Sequence, residues 1–208
     1  MIIDYSVTKT FGDLRKEKMM KMAARQVRTT ADDLITIRSA CAEDAEALVR
    51  IEAEPADDGD WSFSKDPSTP WDQRLHKKRH WISWHAEQAG GLFLVAEMDG
   101  EIVGWICCSQ GQDRWHAHRG TLTIVFVVKE RRHRGIGSSL TGELLGWADE
   151  GAVLKSIGLK VVSLNEPAIR LYRRYGFTVE GTLRRSVRLD EERYADEILM
   201  SRHCPGEG

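Results

Sequence analysis

One stretch constrains this chain more than any other. An apolar, β-branched run from Thr121 to Val128 leads into Lys129-Glu130-Arg131-Arg132-His133-Arg134-Gly135-Ile136-Gly137-Ser138-Ser139-Leu140, and a helical pattern continues to about Glu150. A strand that passes through glycines straight into a helix demands an α/β arrangement. The first turn of such a helix carries unpaired N–H groups and a partial positive charge, so it attracts phosphate. Gly135 and Gly137 lack Cβ, which lets a diphosphate approach the backbone. Ser138 and Ser139 add hydroxyls, and Arg132 and Arg134 add positive charge. Taken alone, the segment is equally a tight turn that needs positive φ. The three-glycine spacing of dinucleotide folds is absent, and so is the lysine of a P-loop.

The elements around it alternate. Leu34–Arg38 reads as a first strand. Ala42 to about Glu54 and Trp71 to about Gln88 read as helices, separated by a loop rich in Asp, Ser, Gly and Pro. Gly91–Glu97 and Glu101–Ile106 flank Asp99-Gly100, a strong two-residue hairpin signal. After the central strand and helix come a strand at Ile157–Leu164 and a short helix from Glu166 to Tyr175, closed by Gly176. Strands at Phe177–Arg188 and Tyr194–Met200 finish the order β-α-α-β-β-β-α-β-α-β-β. Residues 34–203 form the expected folded domain, with 204–208 as a tail. Residues 1–33 form a partly helical extension, basic from Arg15 to Arg28, which reads as a solvated segment or a docking arm.

With 208 residues the chain can bury a real core. A net charge of -2 argues against nucleic acid as a partner. No apolar run reaches the roughly 18–20 residues of a membrane span, and no signal peptide is evident. Cys41, Cys107, Cys108 and Cys204 fit no zinc template and read as reduced thiols, so a cytoplasmic protein without a metal is expected.

About thirty residues downstream of the glycines stands Asn165-Glu166-Pro167-Ala168-Ile169-Arg170-Leu171-Tyr172-Arg173-Arg174-Tyr175-Gly176-Phe177. The two segments together resemble the GNAT acetyltransferase superfamily, whose pattern is Arg/Gln-x-x-Gly-x-Gly/Ala after a strand, then Asn-x-x-Ala-x-x-Leu-Tyr-x-x-x-Gly-Phe. The resemblance runs from about Leu34 to Ser201. Glu180-Gly181-Thr182-Leu183-Arg184, Tyr194–Met200 and Trp147-Ala148 are similar to a bacterial branch that acetylates small-molecule and protein amines. His133 and Lys129 depart from the commoner Gly and Pro.

The resemblance implies a central mixed, mostly antiparallel sheet of about seven strands, flanked by about four helices and splayed at an acyl-CoA cleft. It implies acetyl-CoA as acyl donor, a primary amine as acceptor, direct transfer in a ternary complex, and a possible homodimer. The backbone of Val125, Phe126 and Val127 would pair with the pantetheine arm. Amides of Arg132, His133, Arg134, Gly135, Ile136, Gly137 and Ser138 would hold the diphosphate. Asn165 would bond the pantetheine or nearby backbone, and Tyr172 would act as general acid beside the sulfur.

A lysine-like amine has a pKa near ~10.4 and a thiol near ~8.5, so a base must help the amine and an acid the leaving sulfur. A backbone N–H of the central strand can stabilise charge on the carbonyl oxygen. Tyr172 also fits an apolar helix face with Ala168, Leu171 and Tyr175, which is a core role. His118, Glu54, Glu52 and a water chain compete as base. Glu54, Asp57, Asp58 and Asp60 read as a solvated loop or as a lure for a cationic amine. Trp61, Trp71, Trp81 and Trp84 read as pocket walls or helix anchors. The acceptor stays open, and a non-catalytic acyl-CoA-binding module on the same fold is the alternative.

Overall fold

In the computed structural model, residues 22–53, 69–88, 90–151 and 153–205 are described. Among these residues, eight strands form one sheet in the order β1-β2-β3-β4-β5-β6-β8-β7. They are β1 (Arg25–Arg28), β2 (Leu34–Ser39), β3 (Leu92–Met98), β4 (Glu101–Gln110), β5 (Arg119–Val127), β6 (Ser156–Val162), β7 (Thr178–Arg188) and β8 (Tyr194–His203). The described residues also form four α-helices: α1 (Ala45–Ala53), α2 (Trp71–Glu87), α3 (Ile136–Glu150) and α4 (Glu166–Arg174). The mixed, mostly antiparallel architecture is the one expected.

Two apolar layers explain it. On one face, Ile136, Leu140, Leu144 and Ala148 of α3 join Ile169 and Tyr172 of α4 over Leu94, Ile106, Leu122 and Ile157. On the other, Ala45 and Leu48 of α1 and Ile82 of α2 cover Phe93, Val95, Trp105, Cys107 and Phe126. A strand covered on both sides reads as a continuous apolar run, and β3 is buried at every position but one. Cys107 and Cys108 are core residues at 0% exposure. The Asp99-Gly100 turn has positive φ at both residues, as a two-residue hairpin turn requires.

One strand goes beyond the about seven read from sequence. Arg25–Arg28, placed by sequence in the extension, pairs antiparallel with Leu34–Ile37. Four residues with one apolar side chain show no usable alternation, so neighbour pairing decides the element. β4 and β5 also run further than their apolar centres. Ser109 and Gln110 still pair with Thr121 and Gly120, because an inner strand is supported from both sides.

The feature that matters most is where pairing stops. β5 and β6 are parallel and register only at Arg119↔Ser156, Gly120↔Ile157 and Thr121↔Gly158. From Leu122 to Val127, β5 pairs with β4 alone. The sheet therefore opens between β5 and β6. Among the described residues, no helix is long and apolar enough to cross a membrane.

Candidate acyl-donor site

The opened edge of β5 has a defined polarity. Val128 N–H donates to Val103 O on β4 at 2.9 Å. A trans peptide points its two polar groups in opposite directions, so the Val127 carbonyl faces the cleft. There it accepts from Arg132 Nε at 3.0 Å. Phe126 is different. A Cβ on Gly104 would sit 2.7 Å from Phe126 O, so that carbonyl lies against β4. Strand alternation thus leaves Val125 and Val127 as the cleft-facing peptides and removes Phe126 from the expected set. The Phe126 ring is buried on the opposite face, stacked on Trp105 at 4.1 Å.

The edge ends at the glycine loop. A short 3-10 turn, Lys129–Arg131, is followed by Arg132 in extended conformation. His133 (φ 61) and Gly135 (φ 89) are both left-handed. Gly135 is the N-cap of α3, no side chain caps the helix, and its first turn contains no acidic residue. That is the local structure an anion needs: orphan amides, a favourable dipole and no competing carboxylate.

The two glycines are glycines for different reasons. A Cβ on Gly135 would meet Thr30 Oγ1 at 2.3 Å, so packing and φ both demand its absence. A Cβ on Gly137 would meet Val127 Cγ2 at 3.6 Å and Val125 Cγ1 at 3.7 Å, ordinary contact distances. The protein itself does not require glycine at 137.

Arg132 and Arg134, the cations beside the glycines, are both engaged. Arg134 donates to Asp33 Oδ2 from Nε at 2.6 Å and to Oδ1 from Nη2. Ser138 Oγ lies 3.1 Å from Tyr175 Oη, which donates to Ser138 O at 2.6 Å. Tyr175 thus ties α4 to the first turn of α3. Sequence reading placed it only on an apolar face; its signal was a hydroxyl one turn beyond Tyr172.

Tyr172 of α4 is 7% exposed, and burial pushes its phenol up to about 12. Its ring is 5.7 Å from Phe177. Asn165 caps α4: its Oδ1 accepts from Ala168 N at 3.2 Å. Asn165 therefore has a local structural task of its own.

The candidate bases are dispersed. His118 is exposed and immediately precedes β5, at the end away from the glycine loop. Seven residue steps of extended chain separate it from Val125, roughly 20 Å. Its carbonyl accepts from Lys155 N at 2.7 Å. Glu52 of α1 is committed to the buried Lys78 of α2, Oε1 to Nζ 2.5 Å. Glu54, Asp57, Asp58, Asp60 and Trp61 lie outside the described residues. Trp81 and Trp84 pack edge-on against His85 as anchors of α2. Burial pushes the Cys107 and Cys108 thiols upward, the latter to about 12, so neither suits a nucleophile.

The chain is similar in sequence and fold to known proteins. The model of the Acetyltransferase (GNAT) family matches residues 56–177. An L-amino acid N-acetyltransferase of Escherichia coli is 31% identical over 169 residues, covering 81% of this chain and 97% of that protein. A phosphinothricin N-acetyltransferase of Streptomyces viridochromogenes is 29% identical over 153 residues, covering 72% and 78%. The crystal structure of a GNAT-family acetyltransferase from Streptococcus pneumoniae superposes with a TM-score of 0.68 at 25% identity, covering 82% of this chain and 99% of that one.

Proposed function

The chain belongs to the GNAT acetyltransferase family, and from that premise we propose that it moves the acetyl group of acetyl-CoA directly to a small primary amine. One observation carries the donor half: an opened strand edge that ends at an uncapped helix N-terminus. The residues present fit a long ligand with a peptide-like arm and a diphosphate. The arm would lie along Val125 and Val127, and the amides of Arg132 to Ser138 would hold the diphosphate. Gly137 supports this reading, because no protein atom claims the space its missing Cβ leaves.

The donor supplies an activated thioester. The rest falls to the chain. The amine nitrogen bonds to the acyl carbon as the carbon–sulfur bond breaks. A base takes a proton from the amine, and Tyr172 donates one toward the departing sulfur. A phenol pushed up to about 12 stays protonated at neutral pH, the form a donor needs. An N–H at the cleft edge of β5 would stabilise charge on the carbonyl oxygen. As base, His118, exposed but roughly 20 Å along β5 from Val125, would reach the amine only through a chain of water. Glu54 is its rival.

The acceptor reading draws on the relatives, whose names specify an L-amino acid and phosphinothricin. A small amine carrying an acidic group is the class we favour over a protein amine. The test is CoA-thiol release across a panel of amino acids, polyamines and peptide N-termini, with acetyl-CoA binding measured in parallel. Release with a small amino acid supports the reading. Tight CoA binding with no release for any amine would favour a non-catalytic binding module.

A further inference from the structure

The turn joining β1 to β2 lies against the glycine loop, although Asp33 and Arg134 are 101 residues apart. Two independent contacts dock it. Thr30 fills the space beside Gly135, with its Oγ1 and backbone N 2.3 and 2.8 Å from where a Cβ would stand. Asp33 takes the Nε and Nη2 of Arg134 in a two-pronged pair, and its side chain is only 15% exposed.

The turn is itself braced. Thr29 N donates to Asp33 O at 2.9 Å, and Asp32 N donates to Thr29 O at 3.0 Å. The Thr29 hydroxyl, in a residue 6% exposed, accepts from Ala31 N and Asp33 N at 3.2 Å each. What it presses on is a loop with His133 and Gly135 both left-handed. A left-handed histidine persists only where its surroundings hold it.

We propose that the 29–33 turn is a clamp on the diphosphate loop, and that Asp33 is a positioning residue for the acyl donor. This rests on the acetyl-CoA reading above. Two effects of Asp33 oppose each other. As a bare negative charge it would repel a diphosphate. As the partner of Arg134 it fixes the loop whose amides receive one. Removing it therefore tightens donor binding if charge dominates, and weakens it if positioning dominates. The geometry favours positioning, because the bidentate pair already cancels most of the charge and Thr30 docks on the same loop.

The test is Asp33→Ala, with thermal unfolding to establish folding and Asp33→Asn as substitute if it fails to fold. Three readouts are compared with the unmodified chain: the CoA Kd, the steady-state constants with acetyl-CoA, and kcat/KM with acetyl-pantetheine, which lacks the diphosphate. The CoA Kd and the KM for acetyl-CoA should rise about tenfold, as for loss of a charged hydrogen bond. The kcat, and kcat/KM with acetyl-pantetheine, should hold within about twofold. Unchanged or tighter CoA binding would overturn the clamp. So would an equal loss with acetyl-pantetheine, which would mark a general structural effect. If the unmodified chain does not bind CoA at all, the donor reading itself fails, a result separate from either.

Discussion

Gly137 shows how residue-level geometry becomes a prediction. Alanine there meets only ordinary contacts, and removing a helix glycine stabilises by roughly 0.5–1 kcal/mol. Gly137→Ala should therefore hold or raise the melting temperature while weakening CoA binding about tenfold in calorimetry. An unchanged Kd would show that the glycine serves no ligand. Gly135→Ala should behave oppositely, losing about 1–3 kcal/mol of stability, because φ is 89 and Thr30 blocks the Cβ. Tyr172→Phe should lower kcat by on the order of 10²-fold at unchanged CoA affinity. Because burial raises this phenol to about 12, its ionisation should not cut activity near the usual tyrosine value. Undiminished turnover of the phenylalanine variant would remove Tyr172 from the chemistry. At this scale the family was legible, since Arg132 to Gly137 and Asn165 to Phe177 are contiguous motifs. Asp33 was not: nothing near it in sequence announces a partner 101 positions away.

Elements add predictions of their own. Asn165 caps α4, a helix of nine residues, so Asn165→Ala should cost about 1 kcal/mol in unfolding experiments. Asn165→Asp keeps the acceptor oxygen and should keep that stability. A loss of CoA affinity in both variants would give Asn165 a ligand role as well. In α2, His85 is fully buried, its Nδ1 2.8 Å from Trp81 O and its Nε2 2.9 Å from Ser109 Oγ. A carbonyl can only accept, so Nδ1 carries the proton and Nε2 accepts from the hydroxyl. Burial holds this imidazole below its usual 6.5. The unfolded chain then binds the proton more readily, so stability is full above 6.5 and is lost as pH falls below it toward the folded value. His85→Gln should flatten that acid limb in denaturant midpoints measured against pH, and an unaltered limb would contradict the assignment. Periodicity and turn chemistry located most elements. It missed β1, whose four residues carry no alternation, and it shortened β4 and β5, whose polar ends are held by neighbouring strands.

At the scale of the molecule, the proposed donor site depends on a sheet that fails to close. β5 belongs to an otherwise continuous eight-stranded sheet, but beyond Thr121 it has one partner instead of two. The free edge, the glycine loop and the start of α3 form one continuous path, floored by Val125 and Val127. The family pattern implied this splay, though no single residue encodes it. It arises because α3 connects two parallel strands that diverge after three paired residues. The acceptor side was far less legible: the sequence carries no motif for it, and Glu54, Asp57, Asp58 and Asp60 lie outside the described residues. The most direct test of the donor site is a crystal structure with CoA bound. We predict diphosphate oxygens about 3 Å from the N–H groups of Ile136 to Ser138, with the pantetheine arm alongside Val125 and Val127. A diphosphate held elsewhere, with those amides facing water, would contradict the account.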